Sequence, residues 1–593
     1  MSRVYDDIIS GLKQDIVKFS ELKGSYECST YLRFLKYNIL SELNDWVKKT
    51  NRKVLSGSLT KSKTIQIHNH NLSSNNLVNH LIGIGESYHF ITTASQEQNN
   101  TIISVYPSYT KTKEFNIILY GYIGNRLHQY SSAMQIEESE MLYPIMRSIC
   151  DPHTYEAGEY VNNLKLNNSC NKSQKKAIQS IADRIHIIHG PPGTGKSTTI
   201  ANIIKGRIPS THNILCTAVQ NQAVENICIK LVEADIIDFL VIGSDGVIGE
   251  CASTHTLEYK YQNNVLIKEH IGKKSVINTD IQLIQQSMDD NLIISKIVKK
   301  YELYNRKVSD IIDKLYGLIK QLDSEIQIEK QQIIEKSRII LCTVDSSYKI
   351  YNMVKKDIST IILDEAGYIQ EVSILPLIRL KPINIILIGD HKQLSPYAEA
   401  HQTNIYYYKS LLERMIEAER KHSVLNIQYR MPRKLCEMVS DIFYNNLLVS
   451  SESKDNNDRC YEWVNVMGEE KSDDTKSYYN MEEVDAIKKI CDNLAGSRIM
   501  VLCAYSTQVK KVKEAIGQIK DVNVRTLDKS QGAEEDIVII SLVRTKNVGF
   551  LSDKQRLCVG LSRAKKYLYV VGCYDLFKKS GGICWKQIIK YME

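Results

Sequence analysis

The 593-residue chain is too long for one hydrophobic core, since single cores stop growing near ~250–300 residues, so several domains are required. Hydrophobic residues at 43% and charged residues at 24% exclude a mainly disordered chain or a fibrous repeat. A net charge of +8 permits a polyanionic partner without specifying one.

In chain order, residues 1–50 are expected to be helical. Ile8, Ile9, Leu12, Ile16 and Phe19 recur on one face, and Leu32, Leu35, Ile39, Leu43 and Trp46 step at three or four. Residues 51–125 change to short alternating runs such as Thr101–Tyr106 and Phe115–Tyr120. Polar turn clusters at Asn69–Asn76 and Gln96–Asn100 separate them, which predicts a small β-domain, a barrel. From 126 to 166 a helical pattern returns, then turns polar at Asn167–Asn171. From Ile185 apolar strands alternate with helical stretches: Ile185–His189, Ile214–Thr217, Ile339–Thr343, Thr360–Leu363 and Ile385–Ile388. This predicts an α/β domain with a parallel sheet. Residues 250–337 interrupt the rhythm with a helical periodicity through Ile311, Leu315, Leu318, Leu322 and Ile326, expected as an inserted hairpin or short coiled coil. A second α/β series is expected from Ser423, with strands at Ile499–Ala504, Val522–Thr526, Ile537–Ser541 and Tyr567–Val571 and a polar loop at Ser450–Asp458.

No apolar run reaches the ~18 residues of a membrane span, and no secretory signal is visible. The 14 cysteines form no CxxC pair or zinc-spaced cluster. The expectation is an intracellular protein, cytoplasmic or nuclear, with reduced thiols.

The strongest chemical signal is Gly190-Pro191-Pro192-Gly193-Thr194-Gly195-Lys196-Ser197, which fits G-x-x-x-x-G-K-[ST] between a strand and the helix that begins at Thr198. Such a loop wraps backbone N–H groups around phosphate oxygens at a helix N-terminus. Lys196 can reach the β- and γ-phosphates, and the Ser197 hydroxyl can ligate Mg²⁺. Further on, the apolar run Ile361-Ile-Leu ends in Asp364-Glu365. Asp364 is a candidate Mg²⁺ residue, acting through the ion's water shell. Glu365 is a candidate general base. A lone Asp-Glu at a strand end is weak, but behind a phosphate loop in the same α/β domain it becomes strong.

The remaining motifs come in a fixed order: Asn171-Lys-Ser-Gln174, Gly389-Asp-His-Lys-Gln-Leu394, Gln428-Tyr-Arg-Met431, Ala504-Tyr-Ser-Thr-Gln508, Asp528-Lys-Ser-Gln-Gly-Ala-Glu534 and Arg556–Ala564. The series resembles the superfamily 1 helicases, in the branch of the nonsense-mediated-decay RNA helicase and nearest the immunoglobulin-mu-binding-protein type. The likeness runs in register over 165–593 and in layout only over 1–165.

That resemblance implies two RecA-like P-loop domains with ATP and Mg²⁺ between them, an accessory β-barrel on a helical stalk, and a helical insertion. The expected boundaries are stalk helices at 1–50, barrel at 51–125, stalk helix and linker at 126–166, a first domain at 167–422 with its insertion at 250–337, and a second at 423–593. It implies that Gln174 reads the adenine edge, Tyr429 stacks on the base, and Glu534 meets the ribose, beside nucleotide contacts from Gly190 to Thr198. Gln393 would sense the γ-phosphate, and Arg430 and Arg563 would act as arginine fingers. Ala218–Asn226 and Leu341–Thr343 resemble strand-contacting motifs, which makes Asn221 and Thr343 candidate phosphate contacts. The implied function is an ATP-hydrolysing helicase moving 5′→3′ on single-stranded DNA or RNA, expected as a monomer. Two alternatives stand beside it: an RNA helicase of mRNA surveillance, and an ATP-gated nucleic-acid clamp that does not separate strands. The chain departs from the family at Val219-Gln220 (usually Pro-Ser), Tyr368 (Gln), Cys558 (Asn) and Gly560 (Ala). No zinc-rich module, R3H-like domain or nuclease signature is visible.

Overall fold

The structure is a computed structural model that describes all residues except 1, 14–26, 50–52, 61–63, 68–76, 85–86, 98–99, 110–113, 139–144, 162–169, 244–248, 287–290, 305, 398–408, 453–458, 475, 518 and 520. Ile16, Phe19, the cluster Asn69–Asn76, and parts of the turns expected at Gln96–Asn100, Asn167–Asn171 and Ser450–Asp458 lie outside the described residues. The chain packs as two units, residues 1–210 with 359–593, and residues 211–358.

In the first unit, helices Ser2–Lys13 and Cys28–Lys49 precede six antiparallel strands. Lys53–Leu59, Ile65–Ile67, Asn100–Tyr106, Ser87–Glu97, His80–Ile84 and Glu114–Tyr122 neighbour one another in that order, and the last pairs back onto the first to close a barrel. Alternation points Leu55, Ile65, Ile67, Ile82, Ile84, Ile91, Ile103 and Ile117 inward. The Tyr5 ring stacks on Phe90 at 4.5 Å, and the Tyr106 hydroxyl donates to Asp6 Oδ2 at 2.9 Å, joining the first helix to the barrel.

Helices Gly124–Glu138 and Ile145–Cys150 follow. The helical pattern expected to 166 stops there. Residues 151–161 run irregularly, with a single bridge from Ala157 to Asp183. The break follows Asp151-Pro152, where the proline disfavours the helical conformation of its predecessor. Polar groups on Cys28–Lys49 and Gly124–Glu138 fix the helical layer to the segment just beyond Glu365. Tyr31 donates to Glu371 Oε1 at 2.5 Å, and Arg414 Nη2 donates to the same oxygen at 2.7 Å. Arg126 reaches Gln370 at 2.9 Å, and Gln129 reaches Ser373 at 3.1 Å.

Two larger parallel sheets follow in this unit, beside two two-stranded ones. The first has the order Ser423–Val424, Ile185–His189, Asn384–Gly389, Thr360–Leu363. Ser423-Val424 therefore pairs with the phosphate-loop strand and does not open the second series, because a two-residue edge strand has no hydrophobic pattern to assign it. The second sheet has the order Tyr461–Asn465, Ala564–Gly572, Glu535–Ser541, Ile499–Cys503, Val522–Thr526. The interior strand Ile499–Cys503 is buried on both faces. Met500 and Leu502 pack with helices Arg433–Tyr444 and Gly582–Met592, and Ile499, Val501 and Cys503 pack with Met481–Asn493 and Ser506–Ile516. Continuous apolar strands between helix layers are the signature of a parallel α/β sheet.

The second unit carries parallel strands Ile214–Ala218, Ile339–Thr343 and Phe239–Ile242, with Thr343 opposite Ala218. Helices Val265–Gln286, Asn291–Lys300 and Val308–Lys336 fill the expected insertion. Ile277, Ile281, Ile284, Ile297, Ile311 and Leu315 form its seam, whereas Leu318 stays exposed. Among the described residues no helix is long and apolar enough to cross a membrane.

Candidate nucleotide cleft

The strand Ile185–His189 is buried throughout and delivers the chain into Gly190–Ser197. Gly193 and Gly195 have φ of +72° and +78°, a region that side chains rarely adopt. A Cβ on Gly193 would lie 2.7 Å from Arg430 Cβ, and one on Gly195 2.7 Å from Gln174 Nε2. The loop is thus shaped for close approach from both directions. Gly195 caps the helix Lys196–Gly206, whose first amides have no intrahelical acceptors and lie at the positive end of its dipole.

Lys196 Nζ donates to Gly190 O at 2.8 Å. Burial lowers the lysine's pKa, while Asp390 and Asp364 act to raise it. Ser197 and Thr198 are half-buried at the helix start. Thr194 holds the turn through Oγ1 to Pro191 O at 2.8 Å.

Asp364 and Glu365 follow the buried strand Thr360–Leu363. Asp364 Oδ1 accepts from the Glu365 amide at 2.8 Å. Burial raises the Asp364 carboxyl, with Lys196 opposing. Glu365 sits at φ +52°. Its Oε2 is buried and has no hydrogen-bond partner among the described residues. Burial, then the neighbouring Asp364 charge, pushes its carboxyl up to about 7. A strained backbone carrying an unpaired carboxylate near neutral pKa suits a general base.

Gln174 is engaged locally. Its Oε1 accepts from Asn171 N at 3.0 Å in a capping box, and its Nε2 donates to Thr194 O at 3.1 Å. That leaves the second Nε2 hydrogen able to donate elsewhere. Tyr429 is 42% exposed, so its ring face can stack, and its hydroxyl accepts from Asn171 Nδ2 at 2.9 Å.

Gln393, Arg430, Arg563 and Glu534 come together in pairs. Arg563 is buried and donates from Nη2 to Gln393 Oε1 at 2.9 Å and from Nε to Val559 O at 2.8 Å. Burial, then Arg430, lowers its pKa to about 9. Arg430 Nε donates to Glu534 Oε2 at 2.6 Å, and Lys565 lies 3.0 Å from Oε1. Burial alone would raise Glu534, but Arg430 and Lys565 outweigh it and hold it at about 2. In this arrangement Arg430 and Glu534 satisfy one another. Asn221 opens the helix Asn221–Glu233, and Thr343 ends the strand paired with Ile214–Ala218, so both lie at one end of the second unit's sheet. Thr343 Oγ1 donates to Ser346 Oγ at 3.0 Å.

Residues that the sequence motifs left without a role complete the cleft. Asp390 is buried and accepts from Lys392 N at 3.0 Å, Gln393 Nε2 at 2.7 Å and Tyr444 OH at 2.6 Å, with His189 Nε2 at 2.9 Å. Asp390 stands inside a recognised motif, but nothing in the sequence marks Tyr444 as its partner. Ser395 donates to Gln555 Oε1 at 2.8 Å, and Gln555 Nε2 donates to His391 O at 3.1 Å.

Two protein-family profiles, each described as an AAA domain, match residues 169–399 and 407–575. An uncharacterized ATP-dependent helicase of Methanocaldococcus jannaschii is 29% identical over 482 residues, spanning 71% of this chain and 70% of its own. The DNA polymerase alpha-associated DNA helicase A of Saccharomyces cerevisiae is 27% identical over 566 residues, spanning 85% and 80%. The DNA-binding protein SMUBP-2 of Mesocricetus auratus is 26% identical over 441 residues, spanning 68% of this chain and 43% of its own. The chain belongs to the superfamily 1 helicases, in the nonsense-mediated-decay-helicase-like branch, and is an ATP-hydrolysing nucleic-acid helicase.

Proposed function

We propose that the cleft couples ATP hydrolysis to 5′→3′ movement along single-stranded DNA or RNA, with strand separation as the result. The observation that carries this is the Gln393–Arg563 bond at 2.9 Å, which ties the end of the phosphate-loop sheet to the second lobe. Any shift at Gln393 is then felt across the cleft.

The residues fit ATP and Mg²⁺: a loop that side chains would fill, a half-buried lysine at its end, and an unpartnered carboxylate oxygen. The nucleotide supplies the transferable γ-phosphoryl group, and Mg²⁺ offsets its charge. Ser197 and Asp364 would hold the ion. Residues Gly190–Thr198 would cradle the phosphates, with Lys196 fixing the terminal ones. Gln174 and Tyr429 would take the base, and Glu534 the ribose once Arg430 leaves it. Glu365 would accept a proton from water. Arg430 and Arg563 would offset developing charge, Gln393 would sense it, and Asn221 and Thr343 would hold strand phosphates.

The domain reading is two RecA-like lobes, the first from 167 through the edge strand Ser423–Val424 with an insertion at 250–337 and the second from there to 593, with the barrel at 51–125 held over the strand by helices at 1–50 and 126–150. The working form is a monomer. Strand displacement on DNA and RNA duplexes with either overhang tests the direction. Displacement from 5′ overhangs is expected. Displacement only from 3′ overhangs would overturn the direction, and strand-stimulated hydrolysis with no displacement would make the protein a clamp.

A further inference from the structure

Asp390 has two carboxylate oxygens and two sets of donors. Oδ1 takes His189 and the Lys392 amide, both from the first lobe. Oδ2 takes Gln393 Nε2 at 2.7 Å and, from the other side of the cleft, Tyr444 OH at 2.6 Å. An ionised carboxylate only accepts, so the tyrosine must be the donor. Burial, then the Asp390 charge, raises the Tyr444 hydroxyl well above its ordinary value, which keeps its proton in place. The tyrosine ends the helix Arg433–Tyr444 and is buried in the second lobe's core. Its oxygen also lies 3.1 Å from Cys558 Sγ, the position where the family usually has asparagine. Gln393 is thereby held at both ends, by Asp390 through Nε2 and by Arg563 through Oε1.

We propose that Tyr444 is a positioning residue that acts on Gln393 through their shared acceptor, Asp390 Oδ2, and so helps transmit the state of the nucleotide to the second lobe. The inference rests on the reading of Gln393 as γ-phosphate sensor. Two donors on one oxygen are coupled: when Gln393 swings toward a phosphate, the Tyr444 bond becomes the cross-lobe grip on that oxygen and keeps the lobes in register. Without the hydroxyl, Gln393 can move without the second lobe following.

The test uses the full chain and ATP hydrolysis with and without a single-stranded oligonucleotide. Tyr444→Phe keeps the ring in its core site and removes the bond. Strand-stimulated kcat should fall about tenfold, the scale of one charge-assisted hydrogen bond, while the KM for ATP moves less than about twofold. In a Gln393→Ala background the same change should have no further effect, because coupled residues are not additive. An equal loss in both backgrounds, or a loss in KM alone, overturns the proposal. Cys558→Ala leaves the hydroxyl its bond to Asp390, so stimulation should survive. A loss there as large as that of Tyr444→Phe would place the effect in packing and also overturn it. If Gln393→Ala alone leaves stimulation intact, the sensor reading falls and this inference with it. If Gln393→Ala abolishes stimulation but Tyr444→Phe does not, only the inference falls.

Discussion

Two neighbouring strands of the first sheet, Thr360–Leu363 and Asn384–Gly389, lead into carboxylates that the protein treats in opposite ways, half-buried Glu365 and buried Asp390. At the first end, Glu365 has an oxygen with no partner, and its carboxyl is pushed up to about 7. At the second, burial would also raise Asp390, yet His189, Lys196 and Tyr444 outweigh it and hold the carboxyl well below the ordinary range. The difference lies in the donors each one meets. A carboxylate wrapped by donors is held ionised and in place, and one left bare is kept for chemistry.

That contrast can be broken by mutation. Glu365→Gln should cut ATP hydrolysis by ~10²–10⁴ while nucleotide still binds, the usual contribution of a general base. Lys196→Ala should lose binding as well, and equal ATP affinity in the two variants by titration would contradict these roles. Asp390→Asn should be the destabilising change. It replaces an acceptor-only group by one with an N–H facing donors, at a cost of about 3 kcal/mol. The depressed pKa makes the wild-type contribution full above the ordinary carboxylate range near ~4 and drains it as pH falls, so the two melting temperatures should converge in acid. Glu365→Gln should hold or raise the melting temperature, more at pH 8 than at pH 5, since its raised pKa makes the buried charge costly at high pH. A destabilised Glu365→Gln chain beside a neutral Asp390→Asn chain would reverse the comparison.

The pH dependence of hydrolysis sharpens it. Protonated Glu365 cannot accept a proton, so kcat/KM should fall about tenfold per unit as pH drops below about 7. A flat profile from pH 5 to 8 would remove Glu365 from that role. A smaller effect is expected at the barrel. Replacing 51–125 by a short linker should speed dissociation from a labelled oligonucleotide and lower the salt slope by ~0.7 for each lost phosphate contact. Hydrolysis measured without nucleic acid should change less than the off-rate. An unchanged off-rate in a folded product would leave the strand to the two lobes.

Much of the cleft was legible in the sequence because its parts are local. The phosphate loop and the Asp364-Glu365 strand end each occupy one short stretch, and the strands around them are near-continuous Ile and Leu. What the sequence hid is long-range pairing. Arg563 meets Gln393 across 170 residues, and Tyr444 meets Asp390 across 54, with no spacing rule to connect either pair. Arg430 and Glu534, expected to meet the nucleotide, hold each other here across 104 residues. In the barrel, the short strand Ile65–Ile67 offers too few residues for its alternation to fix a partner. Ser423–Val424 failed for the same reason at the edge of the first sheet. The insertion's periodicity holds, but Leu318 is exposed because Ile319 beside it takes the seam position between Leu315 and Leu322.

The most direct test of the account is steady-state ATP hydrolysis by the purified chain with and without single-stranded DNA or RNA. A cleft whose sensor is bonded across to the second lobe should turn over slowly alone and speed up severalfold or more when a strand is bound. Equal rates in both conditions would contradict the coupling between nucleotide and nucleic acid on which the account rests.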